Sequence, residues 1–182
     1  MGWMRGTAGN LSVVLSTDPL RLAITVSGVD KGELTNTDVV VVDEAGRAVP
    51  DQPDPTRIPS AEAGLHARIA AVTGAGAVVH IHSLSAVLAA HHWPSGPAIR
   101  DLEMLKGISR SAHDEDVRLP VAANDQDMAV LGDAFERVYR PGIPALLVAR
   151  HGMYAWGRDL SQARHHTETV EWLLRFQLET RS

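Results

Sequence analysis

The chain changes texture near residue 59, and that change limits the folds open to it. Before it come three short β-branched runs, NLSVVLS (10–16), RLAITVSG (21–28) and DVVVVDE (38–44). They are separated by TDP, GVDKGE and the longer EAGRAVPDQPDP. Runs of this length bounded by Gly, Pro and Asp read as strands. After it, helical and extended patterns alternate. PSAEAGLHARIAAV places Leu65, Ile69 and Val72 at helical spacing behind a Pro59-Ser60 start signal. The strand GAVVHIHS and the helix LSAVLAAHH follow, then the loop WPSGP, a short helical DLEMLKGI, a short strand in RLPVA and the helix QDMAVLGDAFERVY. PGIPALLVARHG contains a buried strand ending in His151, and MYAWG is a further short strand. Residues 159–179 form the last helix, with Leu160, Ala163, Thr167, Val170, Leu174 and Leu178 on one face and Trp172 and Phe176 off it, free to meet a second surface such as another subunit. Strands first, then strands and helices mixed, predict a layered α/β domain with a mixed sheet. At 182 residues the chain fits one domain, 1–182, with the 44–59 stretch read as a loop within it.

Composition narrows the partners. A net charge of -5 with no Lys/Arg-rich run argues against nucleic acid or an anionic membrane surface. There is no cysteine, which excludes disulfides, thiolate metal sites and a Cys nucleophile. MGWMRGTAGN has neither the cationic and apolar segments of a secretory signal nor the Ser or Thr that myristoylation wants at position 6, and no run of 18 apolar residues occurs. The expectation is a soluble, cytoplasmic chain.

His80 and His82 end the most hydrophobic strand. Residues i and i+2 of a strand project to one face, so the two imidazoles point together, as two ligands of one ion would. A zinc-like site that keeps an open position needs a third protein ligand. His151 qualifies, because it closes a second apolar strand before a Gly152 that lets the backbone turn. The plainer alternative is three unrelated strand-end histidines in a chain that holds nine. His91, His92, His113, His165 and His166 read as solvated positions, while His66, four residues after Glu62, can reach the site or simply pack.

Two carboxylates and three turns complete the candidates. Glu62, in the first turn of its helix, is either a charge favoured by the helix N-terminus or a base beside the histidines. Glu103, between Leu102 and Met104, is either a solvated surface acid or a general acid/base with its proton affinity raised by apolar neighbours. RGTAGNLS lacks the G-x-G-x-x-G spacing and precedes a strand, which excludes a dinucleotide fingerprint. Thr7, Gly9 and Asn10 there, Ser27, Gly28 and Lys31 in TVSGVDKGEL, and Ser60 in PSAE can each offer N–H or hydroxyl groups to a phosphate. Singly these are turn chemistry; together, beside a metal site, they point to a small phosphorylated ligand.

GTAGNLS, TVSGVDKGEL, PSAE, AVVHIHS and RHGMYAWG, in that order along essentially the whole chain, resemble the class II aldolase/adducin family. Within it, GVDKGEL, EMLKG and GMYAWGRDLSQA look most like the branch that dehydrates 5-methylthioribulose 1-phosphate in methionine salvage. The resemblance implies a three-layer α/β/α sandwich around a mixed, largely antiparallel sheet, and a homo-oligomer, commonly a tetramer. It implies Zn2+ or another divalent ion, one per subunit, on His80, His82 and His151, and phosphate contacts from the Thr7–Asn10 turn, the Ser27-Gly28 turn and Ser60. Glu103 matches the acid/base glutamate of the dehydratases, and Glu62 the catalytic glutamate of the sugar-phosphate aldolases. Relatives usually carry an N-terminal helix before the GW at which this chain opens. The alternatives within the same resemblance are an aldolase or epimerase of the fuculose-phosphate type and a non-catalytic, adducin-like binding domain.

Overall fold

A computed structural model of the chain describes residues 2–4, 6–52, 54, 56–110 and 115–181. The strands are β1 (Asn10–Thr17), β2 (Leu20–Thr25), β3 (Val39–Val42), β4 (Ala77–Ile81), β5 (Ala98–Ile99), β6 (Val117–Arg118), β7 (Val121–Ala122), β8 (Ala145–Val148) and β9 (Gly152–Gly157). The helices are α1 (Ala63–Thr73), α2 (Leu84–His92), α3 (Met128–Val138) and α4 (Leu160–Glu179), with a 3-10 helix at Glu103–Ile108 between α2 and α3. Seven strands form one sheet in the order β3-β2-β1-β4-β9-β8-β7, and β5 pairs with β6 apart from it. Within the large sheet every pair is antiparallel except β7 with β8. The expected mixed, largely antiparallel sheet is therefore present.

Strand alternation builds the layers. Ala77, Val79 and Ile81 of β4 pack with Ala86 and Ala89 of α2, Leu105 and Ile108 of the 3-10 helix, and Val170 and Leu174 of α4. Val78 points the other way, into a cluster with Leu65 and Ile69 of α1 and Leu131 and Phe135 of α3. Helices thus cover both faces, giving the α/β/α sandwich. Helix starts follow local chemistry. Ser83 caps α2 by accepting from the Ala86 amide at 3.1 Å, Asp127 caps α3, and Asp159 caps α4.

Several sequence readings shift. The α1 stripe is not Leu65-Ile69-Val72: Val72 is exposed, and Ala63, Ala67 and Ala70 are buried against β2 and β3, because small side chains let the helix lie close to the sheet. In α4, Leu160 is exposed, and the buried face widens to take in His166, Glu171 and Leu173, since this helix meets β9, β4, α2 and the 3-10 helix together. His166 is not solvated; its Nδ1 donates to the Trp156 carbonyl at 2.6 Å. Trp172 does stand exposed, stacked on Phe176. The strand before His151 is shorter than expected, ending at Val148, and His151 sits in the tight turn to β9. The left-handed residue of that turn is Arg150, with φ 59°, and not Gly152. Gly152 serves close approach: a Cβ there would meet the Ile81 carbonyl oxygen at 2.2 Å and the His82 Cα at 3.2 Å.

Gly152→Ala must therefore push β9 away from the end of β4. It is expected to cost ~1–3 kcal/mol, as overpacking of a close-packed interior does. Thermal melts check this, and an unchanged melting temperature would mean that the strands separate freely there.

Candidate metal centre

One end of the sheet gathers the start of β1, the ends of β2 and β4, the β8–β9 turn and the exit from β7. His80 is the penultimate residue of β4, fully buried, and by alternation it shares the α1 face with Val78. Its ring lies on Tyr154, directly across the β4–β9 ladder, with centroids 4.0 Å apart and planes at 13°. His82 stands just beyond β4, more open to solvent, its amide donating to the Trp3 carbonyl at 3.0 Å. The Nε2 atoms of His80 and His82 lie 2.8 Å apart, and those of His82 and His151 3.1 Å. Glu62, at the start of α1, brings Oε1 to 2.9 Å from His151 Nε2 and 3.3 Å from His80 Nε2. The ligand atoms of all four residues lie within 4.8 Å of one another.

The donor set fits a cation. His80 Nδ1 faces the Met153 carbonyl at 3.0 Å, and His151 Nδ1 faces Asn124 Oδ1 at 3.1 Å. Both partners accept, so each ring proton sits on Nδ1 and each Nε2 presents a lone pair to the centre. Glu62 Oε1 is a further acceptor in the same small volume. Lone pairs and a carboxylate this close repel one another unless positive charge lies among them, and a metal ion supplies it. Burial opposes the charge on Glu62, yet in the ion-free chain hydrogen bonds from His151 and His80, when those rings carry protons toward it, and from the Asn10 amide outweigh burial and hold its carboxyl far below the ordinary range; a bound cation would take over that role with the rings' lone pairs turned inward. Burial, with the neighbouring His80 and His151 rings, depresses His82 to about 4, which keeps it neutral and ligand-competent.

The three turns meet at this end. Asn10 Nδ2 donates to Ser60 Oγ at 2.8 Å and also to Glu62 Oε2. Lys31 Nζ donates to the Thr7 carbonyl at 3.1 Å and to the Val29 carbonyl at 2.6 Å, tying the first turn to the second. The Ser27 amide donates to the Ile58 carbonyl, tying the second to the segment that carries Ser60. Gly9 and Gly28 both hold positive φ, and a Cβ on Gly9 would press on the His80 carbonyl oxygen at 2.8 Å. Thr7, Ser27 and Gly28 remain exposed. Glu103 is placed differently. It opens the 3-10 helix in the layer of α2 and α4, its largely exposed side chain paired with Lys106, and it is not among the four converging groups.

His66 packs rather than joining the centre: fully buried, it pairs Nδ1 with Ser12 Oγ at 2.7 Å and lies edge-on to Tyr154. His91, His92 and His165 are exposed, as read, and His113 lies outside the described residues. Sequence reasoning missed Asn124 and Tyr154. Tyr154 becomes legible only once β4 and β9 are known to pair, and Asn124 follows a two-residue strand with no motif around it.

The comparisons agree with this geometry. Residues 1–178 match the class II aldolase and adducin N-terminal domain. The chain belongs to that family. A methylthioribulose-1-phosphate dehydratase of Persephonella marina is 36% identical over 178 residues, covering 96% of this chain and 81% of the relative. The enzyme of the same name from Stenotrophomonas maltophilia is 40% identical over 185 residues, covering 99% and 84%. Among solved structures, an L-fuculose 1-phosphate aldolase matches with a TM-score of 0.72 at 28% identity, covering 97% of this chain and 77% of that one. The L-fuculose-1-phosphate aldolase of Thermus thermophilus matches with a TM-score of 0.71 at 28% identity, covering 99% and 87%. No helix among the described residues is long and apolar enough to cross a membrane.

Burial holds the His66 imidazole down at about 3, with the nearby His80 adding to the effect and Glu62 opposing it. In the unfolded chain the same ring takes a proton near 6.5. Its contribution to stability is therefore complete above pH 6.5 and is lost as pH falls from there toward 3. Metal-free protein should lose melting temperature over that interval, and His66→Gln should lose less of its own. Parallel slopes for the two proteins would refute this.

Proposed function

We propose that the chain is a metal-dependent hydro-lyase, a single class II aldolase-like domain over 1–182. It converts 5-methylthioribulose 1-phosphate to 5-methylthio-2,3-diketopentyl 1-phosphate, a step of methionine salvage in the cytoplasm. The observation that carries this reading is the convergence of His80, His82, His151 and Glu62, in a chain 36–40% identical to dehydratases of that name. On this reading His80, His82 and His151 hold one Zn2+ or similar divalent ion per subunit, and the working form is a homo-oligomer, a tetramer. A non-catalytic, adducin-like role is disfavoured, because such a domain has no use for three histidines gathered around one point with a carboxylate among them.

A bound divalent ion supplies Lewis acidity toward the carbonyl and adjacent hydroxyl oxygens of a ketose. The chain supplies the rest. Exposed Thr7, Ser27 and Gly28, with Gly9, Asn10, Lys31 and Ser60 behind them, hold the phosphate and set which carbon stands at the centre. Dehydration removes the C3 proton and the C4 hydroxyl as one water, and the resulting enol ketonises to the 2,3-diketone. On this reading Glu103 delivers the proton to the departing hydroxyl, and the C3 proton goes to Glu103, to a water on the ion or to Glu62, which lies beside the ligands.

A second reading has a specific observation in its favour. Glu62, the counterpart of the aldolase glutamate, lies in the centre and Glu103 does not. An aldolase would instead take the proton from the C4 hydroxyl as C3–C4 breaks and return a proton to C3 of the enediolate, and an epimerase would re-form that bond on the opposite face of the aldehyde.

A panel of 5-methylthioribulose 1-phosphate, L-fuculose 1-phosphate and ribulose 5-phosphate with added Zn2+ separates the readings. Dehydration of the first substrate alone is expected; dihydroxyacetone phosphate from the second would establish the aldolase instead. His80→Ala should lose both bound metal and turnover, and full activity in that variant would end the metal assignment. Glu103→Gln should keep its metal while turnover falls about 10²–10⁴-fold, the usual worth of a general acid. Unchanged turnover would remove Glu103 from the chemistry.

A further inference from the structure

Two consecutive residues of β9 grip His80. The Met153 carbonyl accepts from its Nδ1 at 3.0 Å, which fixes one direction within the plane of the ring. The Tyr154 ring lies against its face, with centroids 4.0 Å apart and planes 13° from parallel, which fixes the plane itself. Neither contact does both. A single hydrogen bond leaves an imidazole free to swing about it, and a stacked ring leaves it free to spin in its own plane. Together they leave Nε2 one direction, toward Glu62 and the other two histidines.

Tyr154 is itself held. It is fully buried, opposite His80 in the β4–β9 register and opposite Leu146 in the β8–β9 register. The His66 ring meets it at 72° with centroids 5.6 Å apart, and His66 is in turn tied to Ser12 Oγ at 2.7 Å, so α1 and β1 brace the phenol ring as well. Its neighbours across the strands in this layer, Val78 and Leu146, are aliphatic and fill the core without setting the plane of any ring. The Tyr154 hydroxyl is buried and meets no hydrogen-bonding group among the described residues, which leaves the ring face as what this side chain offers.

A ring face also answers the charge that a metal brings. A cation on Nε2 draws electron density from the imidazole and leaves it partly positive. An electron-rich aromatic face within about 6 Å attracts positive charge, most strongly where water is excluded. An aliphatic side chain of similar volume supplies packing without that attraction.

We infer that Tyr154 is a positioning residue of the metal centre: its ring face sets the plane of His80 and steadies the charge that His80 acquires on binding a divalent ion. It acts through His80 and is not one of the four converging groups. The inference rests on the metal-binding part of the proposed function and is independent of which sugar phosphate is the substrate.

The experiment measures Zn2+ and Co2+ affinity of the full chain by competition with a chromophoric chelator, records the visible spectrum of the Co2+ form, and follows melting of the metal-free protein. Tyr154→Leu should weaken both metals about tenfold and shift the Co2+ bands, as loss of a group that orients a ligand does. Tyr154→Phe keeps the ring face and should retain wild-type affinity and bands. Phe135→Leu controls for lost packing. Phe135 is fully buried in the same cluster with its ring against Tyr139 and Trp156, so this variant should lose melting temperature while keeping wild-type affinity and spectrum. If Tyr154→Leu does not fold, Tyr154→Met, whose flexible chain fills irregular gaps, carries the same expectation. Wild-type affinity in the aliphatic variant, or equal weakening in Tyr154→Phe or in Phe135→Leu, would overturn the inference. A wild-type protein that binds neither metal would overturn it together with the metal centre. Tenfold weaker binding in Tyr154→Leu, beside a wild-type protein that turns over no ketose phosphate, would support it while the substrate reading fails.

Discussion

The two-sided burial of β4 governs this molecule. All five of its residues are buried, with β1 on one edge, β9 on the other and helices over both faces. A histidine within such a strand has no water to satisfy it, so each of its polar atoms must find an internal partner. The Met153 carbonyl takes the proton on Nδ1, which obliges Nε2 to look toward the end of the sheet as a lone pair. Every other part of the centre is arranged around that direction. Asn10 sits opposite His80 in the β1–β4 register, Tyr154 opposite it in the β4–β9 register, and Glu62 closes over it from α1.

Electrostatics and packing pull against each other here. Glu62 is largely enclosed and yet held ionised, Asn10 keeps one buried oxygen without a partner, and the Nε2 atoms of His82 and His151 face one another at 3.1 Å. The unpartnered oxygen and the facing ring nitrogens do not lower the energy of the folded chain by themselves. The cost becomes intelligible when the same groups are regarded as advance organisation for a positive charge, with ligands already oriented before any ion arrives.

The centre was legible in the sequence to the extent that its groups obey local periodicity. HIH at a strand end projects two rings together wherever that strand sits, and His151 was visible because a buried strand precedes it. The four helices and the antiparallel strands of the first third were also legible, since each begins or ends at Gly, Pro, Ser or Asp. What was hidden depends on pairing between distant segments. Nothing local says that β9 lies beside β4, so nothing in the sequence marks Tyr154 as the partner of His80. Asn124 acts through a partner distant in the chain, at His151. The two-residue strands β5, β6 and β7 are too short to carry a pattern. The solvated reading of His166 failed because adjacent helical residues diverge, and one of the pair met the Trp156 carbonyl.

The β8–β9 turn carries His151 to within hydrogen-bonding distance of a ring 69 positions earlier in the chain. No segment that omits either Glu62 or His151 contains the whole centre, and no helix or hairpin contains more than two of its four groups. The site consequently has no local precursor during folding. It comes into being only when β1, β9 and α1 have all closed on β4, so it reports on completion of the topology: a chain that grips an ion there has already found its native strand order.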